Sequence, residues 1–193
     1  VAFLGITRDG RTDDELRLAW FDALDSQSVA GPASAYSALA RRVDGVKDAY
    51  THRPAPGIVR VVVLAEAGDG SADAALLSAV SAALADDENV RPLTDTVEVV
   101  SAEIVAYAVA AEIDTDSGPE PEVVRALAEA SAQAYADAQH GLGRSVSLFK
   151  LNNALGVEGV SDVTHSGVTA DIITGPDQAP YATSVTVTLP ESE

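Results

Sequence analysis

The sequence predicts an α+β protein: N-terminal helices followed by two ferredoxin-like α/β sandwich units joined by a central β-ribbon. Three observations carry that expectation. Amphipathic helical stretches alternate with short Val- and Ile-rich runs, the pattern of small sheets with helices packed against them. The stretch from Asn89 to Ile113 passes Arg91-Pro92 and then runs on without a glycine or a second proline, a composition suited to extended chain. Finally, the form Val-x-Gly-Val-x-Asp occurs twice, at Val43–Asp48 and Val157–Asp162. Each copy follows a short amphipathic helix and precedes a strand–turn–strand, an internal repeat of two α+β units. The expected divisions are a helical segment over 1–30, a first unit over 31–101 and a second over 102–193.

Thr12-Asp-Asp-Glu15 forms a capping box, with Thr12 accepting from the N3 amide while Glu15 reaches back. Leu16, Trp20, Ala23 and Leu24 share the inner face of the helix that follows, with Trp20 as a core anchor. Gly31-Pro32 opens a second helix whose Tyr36, Leu39, Ala40 and Val43 face inward. A strand through Tyr50 to Arg53, a turn at Pro54-Ala-Pro-Gly57 and a returning strand, Ile58 to Ala65, make a β-hairpin. Gly68-Asp-Gly70 ends it, and Ser71 or Asp73 caps a helix with Leu77, Val80 and Leu84 inward.

The ribbon comes next, broken at the polar Ser101 to Glu103 into two consecutive strands. Its second half is apolar on both parities, as in a strand covered on both faces. Pro121 starts the longest helix, with Val123, Leu127, Ala130 and Ala134 assigned to the core face. Its many alanines keep it thin enough to lie close to a sheet. Gly141 and Gly143 stop it. Ser145 caps a shorter helix with Leu148, Leu151 and Leu155 inward. A strand to His165, a loop from Ser166 to Ala182 and a last strand, Thr183 to Leu189, complete the chain.

Composition narrows the function. The hydrophobic content is 47% and cysteine is absent, so the chain folds but has neither disulfides nor thiolate metal ligands. No apolar run approaches the roughly 20 residues that span a bilayer, and Val1–Ile6 is too short for a signal core. A cytoplasmic origin is the simplest expectation. With 30 acidic against 12 basic residues the net charge is −18. Such a surface repels nucleic-acid phosphates, and Arg41-Arg42 is the only basic pair. Adaptation to salt or plain solubility would each account for the acidity.

The residues of types suited to chemistry have plainer expected roles. Gly68-Asp-Gly-Ser71 sits between strand and helix but lacks the Gly-Lys-Ser/Thr ending of a phosphate loop, and Asp69 repels phosphate. Asp114, Asp116, Glu120 and Glu122 crowd one loop, where Ser117-Gly118-Pro119 breaks the calcium-loop pattern. His52, His140 and His165 lie far apart and have no i,i+4 partner of a helical zinc site. His52 and His165 close the first strand of their units, and His140 suits a helix C-terminus. No Gly-x-Ser-x-Gly elbow marks a nucleophile. No catalytic, cofactor or metal site is assigned, and enzymatic activity is not expected.

Function is carried by a resemblance. Asp86-Asp-Glu-Asn-Val-Arg-Pro-Leu-Thr-Asp-Thr-Val-Glu-Val99 followed by Ala102-Glu-Ile-Val-Ala-Tyr107 resembles the middle of the phage baseplate J protein family. So do Ser28-Val-Ala-Gly-Pro32, Pro56-Gly-Ile-Val-Arg-Val-Val-Val-Leu64 with Gly68-Asp-Gly70, and Gln178-Ala-Pro-Tyr181. The similarity runs in order from about Thr12 to about Leu189. It implies a structural component of a contractile phage tail, or tail-like particle, placed in the baseplate wedge and assembled in the host cytoplasm. Its implied partners are other copies of itself and other wedge and hub proteins, with neither nucleic acid nor membrane, and it links hub to periphery. Two features depart from the family: the chain begins at Val1 inside the resemblance, and the helix around Trp20 differs. The alternative reading is a small-metabolite sensor of paired ferredoxin-like units, which predicts a defined pocket. A hydrolase with an unfamiliar motif predicts polar groups converging in a cleft.

Overall fold

The computed structural model describes residues 33–86, 96–116 and 120–190, together with Arg17. The expected capping box at Thr12–Glu15 and the helix around Trp20 lie outside the described residues, as do Asn89–Asp95 of the ribbon. The chain divides into two units, Val1–Ala102 and Glu103–Glu193, and the described strands form two three-stranded sheets.

In the first unit the order is α1 (Ala33–Ala40), β1 (Val46–Ala55), β2 (Ile58–Ala65), α2 (Ala74–Asp86) and β3 (Thr96–Ser101). β1 and β2 pair antiparallel as the expected hairpin, and β3 joins β2 in parallel. Val59, Val61 and Val63 on one parity of β2 are at most 1% exposed, in a core with Tyr36, Ala40, Val80 and Leu84. Burial of a whole Val or Leu side chain contributes about 1.5–3 kcal/mol, so this row dominates the unit. Val62 and Leu64, on the other parity, are buried as well, which explains the near-continuous apolar run. Inside α1, Ser37 Oγ donates to Thr51 Oγ1 at 2.8 Å, a buried pair that satisfies two hydroxyls and ties the helix to β1. Asp73, not Ser71, caps α2: its Oδ1 accepts from the Leu76 amide at 2.8 Å.

The second unit runs β4 (Glu103–Thr115), α3 (Pro121–Gln139), α4 (Leu148–Leu155), β5 (Val160–His165) and β6 (Gln178–Thr188). β4 lies in the middle, antiparallel to β5 and parallel to β6. Its core joins Val109, Ile113, Val124, Leu151, Leu155 and Val187. Pro180 is tolerated inside β6 because β6 is an edge strand, where a missing amide costs least.

Several expectations need correction. A ferredoxin-like unit is a split β-α-β, with another strand lying between the two that a helix connects. Here β2 and β3, which flank α2, are hydrogen-bonded neighbours, and among the described residues each sheet has three strands. The ribbon does break near Ser101, but its halves enter different sheets. β4 is covered on one face only: Tyr107, Val109, Ala111 and Ile113 are buried, while Ala106, Ala108, Glu112 and Asp114 are exposed. The alanines on the open parity fit a surface as readily as a core, so the sequence pattern alone suggests a second buried face. On α3 the buried stripe is Val124, Ala128, Ala132 and Ala136, and the expected Val123, Leu127, Ala130 and Ala134 face outward. Adjacent Val123 and Val124 allow either stripe, and the thinner one packs. α4 is entered at Ser147 rather than Ser145, and Asp171 Oδ1 accepts from the Leu148 amide at 2.7 Å. The last strand starts at Gln178, five residues before the expected Thr183.

The repeat survives in altered form. Gly45 (φ 89°) and Gly159 (φ 97°) hold equivalent turns, since a side chain would strain the left-handed backbone there. Val46 N donates to Val43 O, and Val160 N to Val157 O, both at 3.1 Å. The Gly45 carbonyl then accepts from Glu66 N and the Gly159 carbonyl from Asp116 N, both at 2.9 Å. In each sheet a central strand has one antiparallel and one parallel neighbour. The chain order differs. The helix plus antiparallel strand precedes the central strand in the first unit and follows it in the second. β5 and β6 therefore do not form the expected strand–turn–strand pair, because β4 lies between them.

Candidate functional site

Gly68–Ser71, the three histidines and the acidic residues near Pro121 each make local contacts within their own unit. In the first unit, Gly68–Ser71 is a tight turn: Ala65 N donates to Gly70 O at 2.8 Å and Ser71 N to Asp69 Oδ1 at 2.9 Å. Asp69 thus serves its own backbone, the plain alternative to a phosphate cradle. His52, on β1, stacks on Tyr50 with ring centroids 5.6 Å apart, and across the sheet it pairs with Arg60. Arg60 makes a two-point ion pair with Glu98 of β3, at 2.9 and 3.1 Å. Both partners are about 40% exposed, so the pair contributes about 0–1 kcal/mol.

In the second unit, His140 caps the end of α3, its amide donating to Asp137 O at 3.2 Å. Its ring meets Tyr181 edge-on at 5.3 Å. His165 ends β5, where its Nε2 bonds the Asn152 side-chain oxygen. Its Nδ1 is buried and finds no partner, and burial holds its pKa below the ordinary histidine value. Tyr107 is pushed up to about 12, first by burial and then by Tyr135 and Asp137. Asp114, Asp116, Glu120 and Glu122 do not converge: Glu122 pairs with Arg125 at 2.8 Å, and Asp116 is held through its backbone. Among the described residues no three His, Cys, Asp or Glu side chains are grouped to hold a metal.

A groove of about 210 Å³ on the open side of the second sheet is lined by Ala110, Glu112, Thr164, Ser166, Thr186 and Thr188. Its polar lining is the Glu112 carboxylate with the hydroxyls of Thr164, Ser166, Thr186 and Thr188. Among the described residues the exposed large apolar side chains are Val123, Leu127, Phe149 and Ile173. Sequence reasoning missed Val123 and Leu127 as surface residues because their spacing is equally that of a core stripe.

Two three-stranded sheets with their helices define the chain as α+β by class. Residues 28–101 match the Baseplate J-like central domain and residues 107–188 the Baseplate J-like protein C-terminal domain. The chain belongs to the baseplate J-like family. It is 40% identical over 177 residues to Baseplate protein J of Escherichia phage P2, covering 91% of this chain and 58% of the phage protein. The chain thus spans a little over half the length of that relative. A cryo-EM structure of the anti-feeding prophage baseplate, six-fold symmetrised, holds a similar fold with TM-score 0.60 and 13% identity, over 89% of this chain and 42% of that one.

Proposed function

We propose that this chain is a structural component of the baseplate of a contractile tail or tail-like particle, where it sits in the wedge and self-associates. In this reading it links hub to periphery and carries no chemistry of its own. The observation that supports the role most directly is the 40% identity to a phage baseplate protein along 91% of the chain. The shared fold with a component of the anti-feeding prophage baseplate supports it further. Such work requires surfaces that meet copies and neighbours, not groups with tuned pKa values.

Co-expression with the neighbouring tail proteins, followed by negative-stain microscopy, tests the proposal. Ring- or wedge-shaped particles containing the chain are the expected outcome. A chain that stays monomeric and unbound beside every tail protein would overturn it. The metabolite-sensor alternative predicts instead that a small metabolite raises the melting temperature.

A further inference from the structure

The outer face of α3 carries an apolar stripe that the fold leaves open. Val123 and Leu127 are each 55% exposed, and Ala130 and Ala134 continue the line, also exposed. The steps of four, three and four residues are the spacing of a coiled-coil seam. Charge is kept to the other flank. Arg125 bonds Glu122 at 2.8 Å and Glu129 at 2.6 Å, and its Nη1 also reaches the Val187 carbonyl at 3.3 Å, so this flank faces β6. One helix therefore presents a charged side toward β6 and an uncharged apolar side away from it.

We propose that this stripe is a contact with a second copy of the chain, formed by an antiparallel pair of α3 helices about a twofold axis. The inference rests on the self-association reading above and adds the surface through which it occurs. The stripe fits itself in that orientation only. Val123 faces Ala134 of the partner subunit and Leu127 faces Ala130 of the partner subunit, so a large side chain meets a small one at every level. A parallel pair sets Leu127 against its own copy and alanine against alanine, giving a bulge beside a gap.

Charge selects the same surface. A chain of net charge −18 repels its copy, so two copies approach most easily where no ionised group lies in the seam. The acidic residues nearest the seam's ends are Glu120 and Asp137, and screening their repulsion strengthens the pair as salt is raised. A seam this short falls below the about 1,200 Å² of a stable free-standing interface. It is weak in free solution and becomes effective where an assembly holds copies together.

Sedimentation of the full chain over rising concentration, at low and high salt, tests the idea. The chain self-associates, more strongly at high salt. Leu127→Asp weakens association at least tenfold, while Gln133→Asp, on the charged flank, changes it less than twofold. Both positions are exposed, and melting curves check that the variants stay folded. The chain has no cysteine, so orientation can be read by mild oxidation. Leu127→Cys mixed with Ala130→Cys forms a mixed disulfide faster than Leu127→Cys alone. Absence of self-association at any concentration overturns both this contact and the self-association reading. Association that Leu127→Asp leaves intact overturns the contact alone, and faster crosslinking of Leu127→Cys with itself overturns the antiparallel arrangement.

Discussion

Replacing Gly167 by alanine tests how tightly the second sheet is closed. Gly167 follows β5, and its amide donates to Ala110 O at 3.1 Å beside a bond from Ser166 N to the same oxygen at 2.9 Å. A Cβ added there would lie 2.5 Å from the Ala108 carbonyl oxygen and 2.7 Å from the Ala110 nitrogen. Both atoms belong to the backbone of the central strand, paired on both sides, and neither can swing away as a side chain would. Overpacking of this kind costs about 1–3 kcal/mol. Loosening the two bonds to Ala110 adds about 0.5–1.5 kcal/mol each. Against this stands the gain of about 0.4–1 kcal/mol from a stiffer unfolded chain. The net expectation is a loss of about 1–6 kcal/mol, which lowers the melting temperature of a unit this size by at least about 4 °C. Scanning calorimetry reads the shift, and amide exchange locates it in β4. A variant melting within about 1 °C of the wild type would refute the close approach.

In the first unit, Leu84→Ala removes a side chain that is 1% exposed and lowers stability by about 2–5 kcal/mol, measured by urea unfolding. Gly45→Ala and Gly159→Ala each cost about 1–2 kcal/mol because both turns sit at positive φ; equal losses in the same assay would bear out the repeat. His165 has a folded pKa below its unfolded one. The unfolded chain thus binds the proton first, and stability falls as pH drops from about 6.5 toward the folded value. His165→Gln flattens that part of the pH–stability curve. Tyr107 ionises near 12, so it is expected among the last tyrosines in an absorbance titration, and Tyr107→Phe removes that late step.

Where one residue pattern had one structural solution, the fold was legible. The hairpin β1–β2 follows from proline and glycine between two apolar runs, and α1 and α2 bury the expected Tyr36, Val80 and Leu84. The break at Ser101 was visible because polarity interrupts a β-rich run. The failures share a cause: alanine is compatible with both core and surface. It made β4 look covered on both faces and made the outer stripe of α3 look like the inner one. Sheet order was unreadable for another reason, since pairing depends on which strand edges meet and a linear pattern does not encode that. Asp69, the acidic loop and the three histidines lack the spacings of a phosphate loop, a calcium loop and a helical zinc site. The family was visible in ordered short matches, whereas the exposed seam on α3 required knowing which valine faces the core.

The two sheets bear on how such a chain is built. The same arrangement, a central strand with one antiparallel and one parallel neighbour, is reached by two chain orders. The connections therefore do not dictate the sheet. What the units share is local: a Val-x-Gly-Val turn whose glycine carbonyl takes an amide just beyond the end of the central strand. That bond fixes where the antiparallel strand begins against its neighbour, and so fixes the register on which the alternation of buried and exposed residues depends. Once register is set, the apolar row on the central strand selects the covered face, and a helix with small or branched side chains closes over it. A scaffold assembled this way can change its connections and outer helix faces while keeping its core. Contact residues such as Val123 and Leu127 can thus vary on α3 without disturbing Val124, Ala128 and Ala132 beneath.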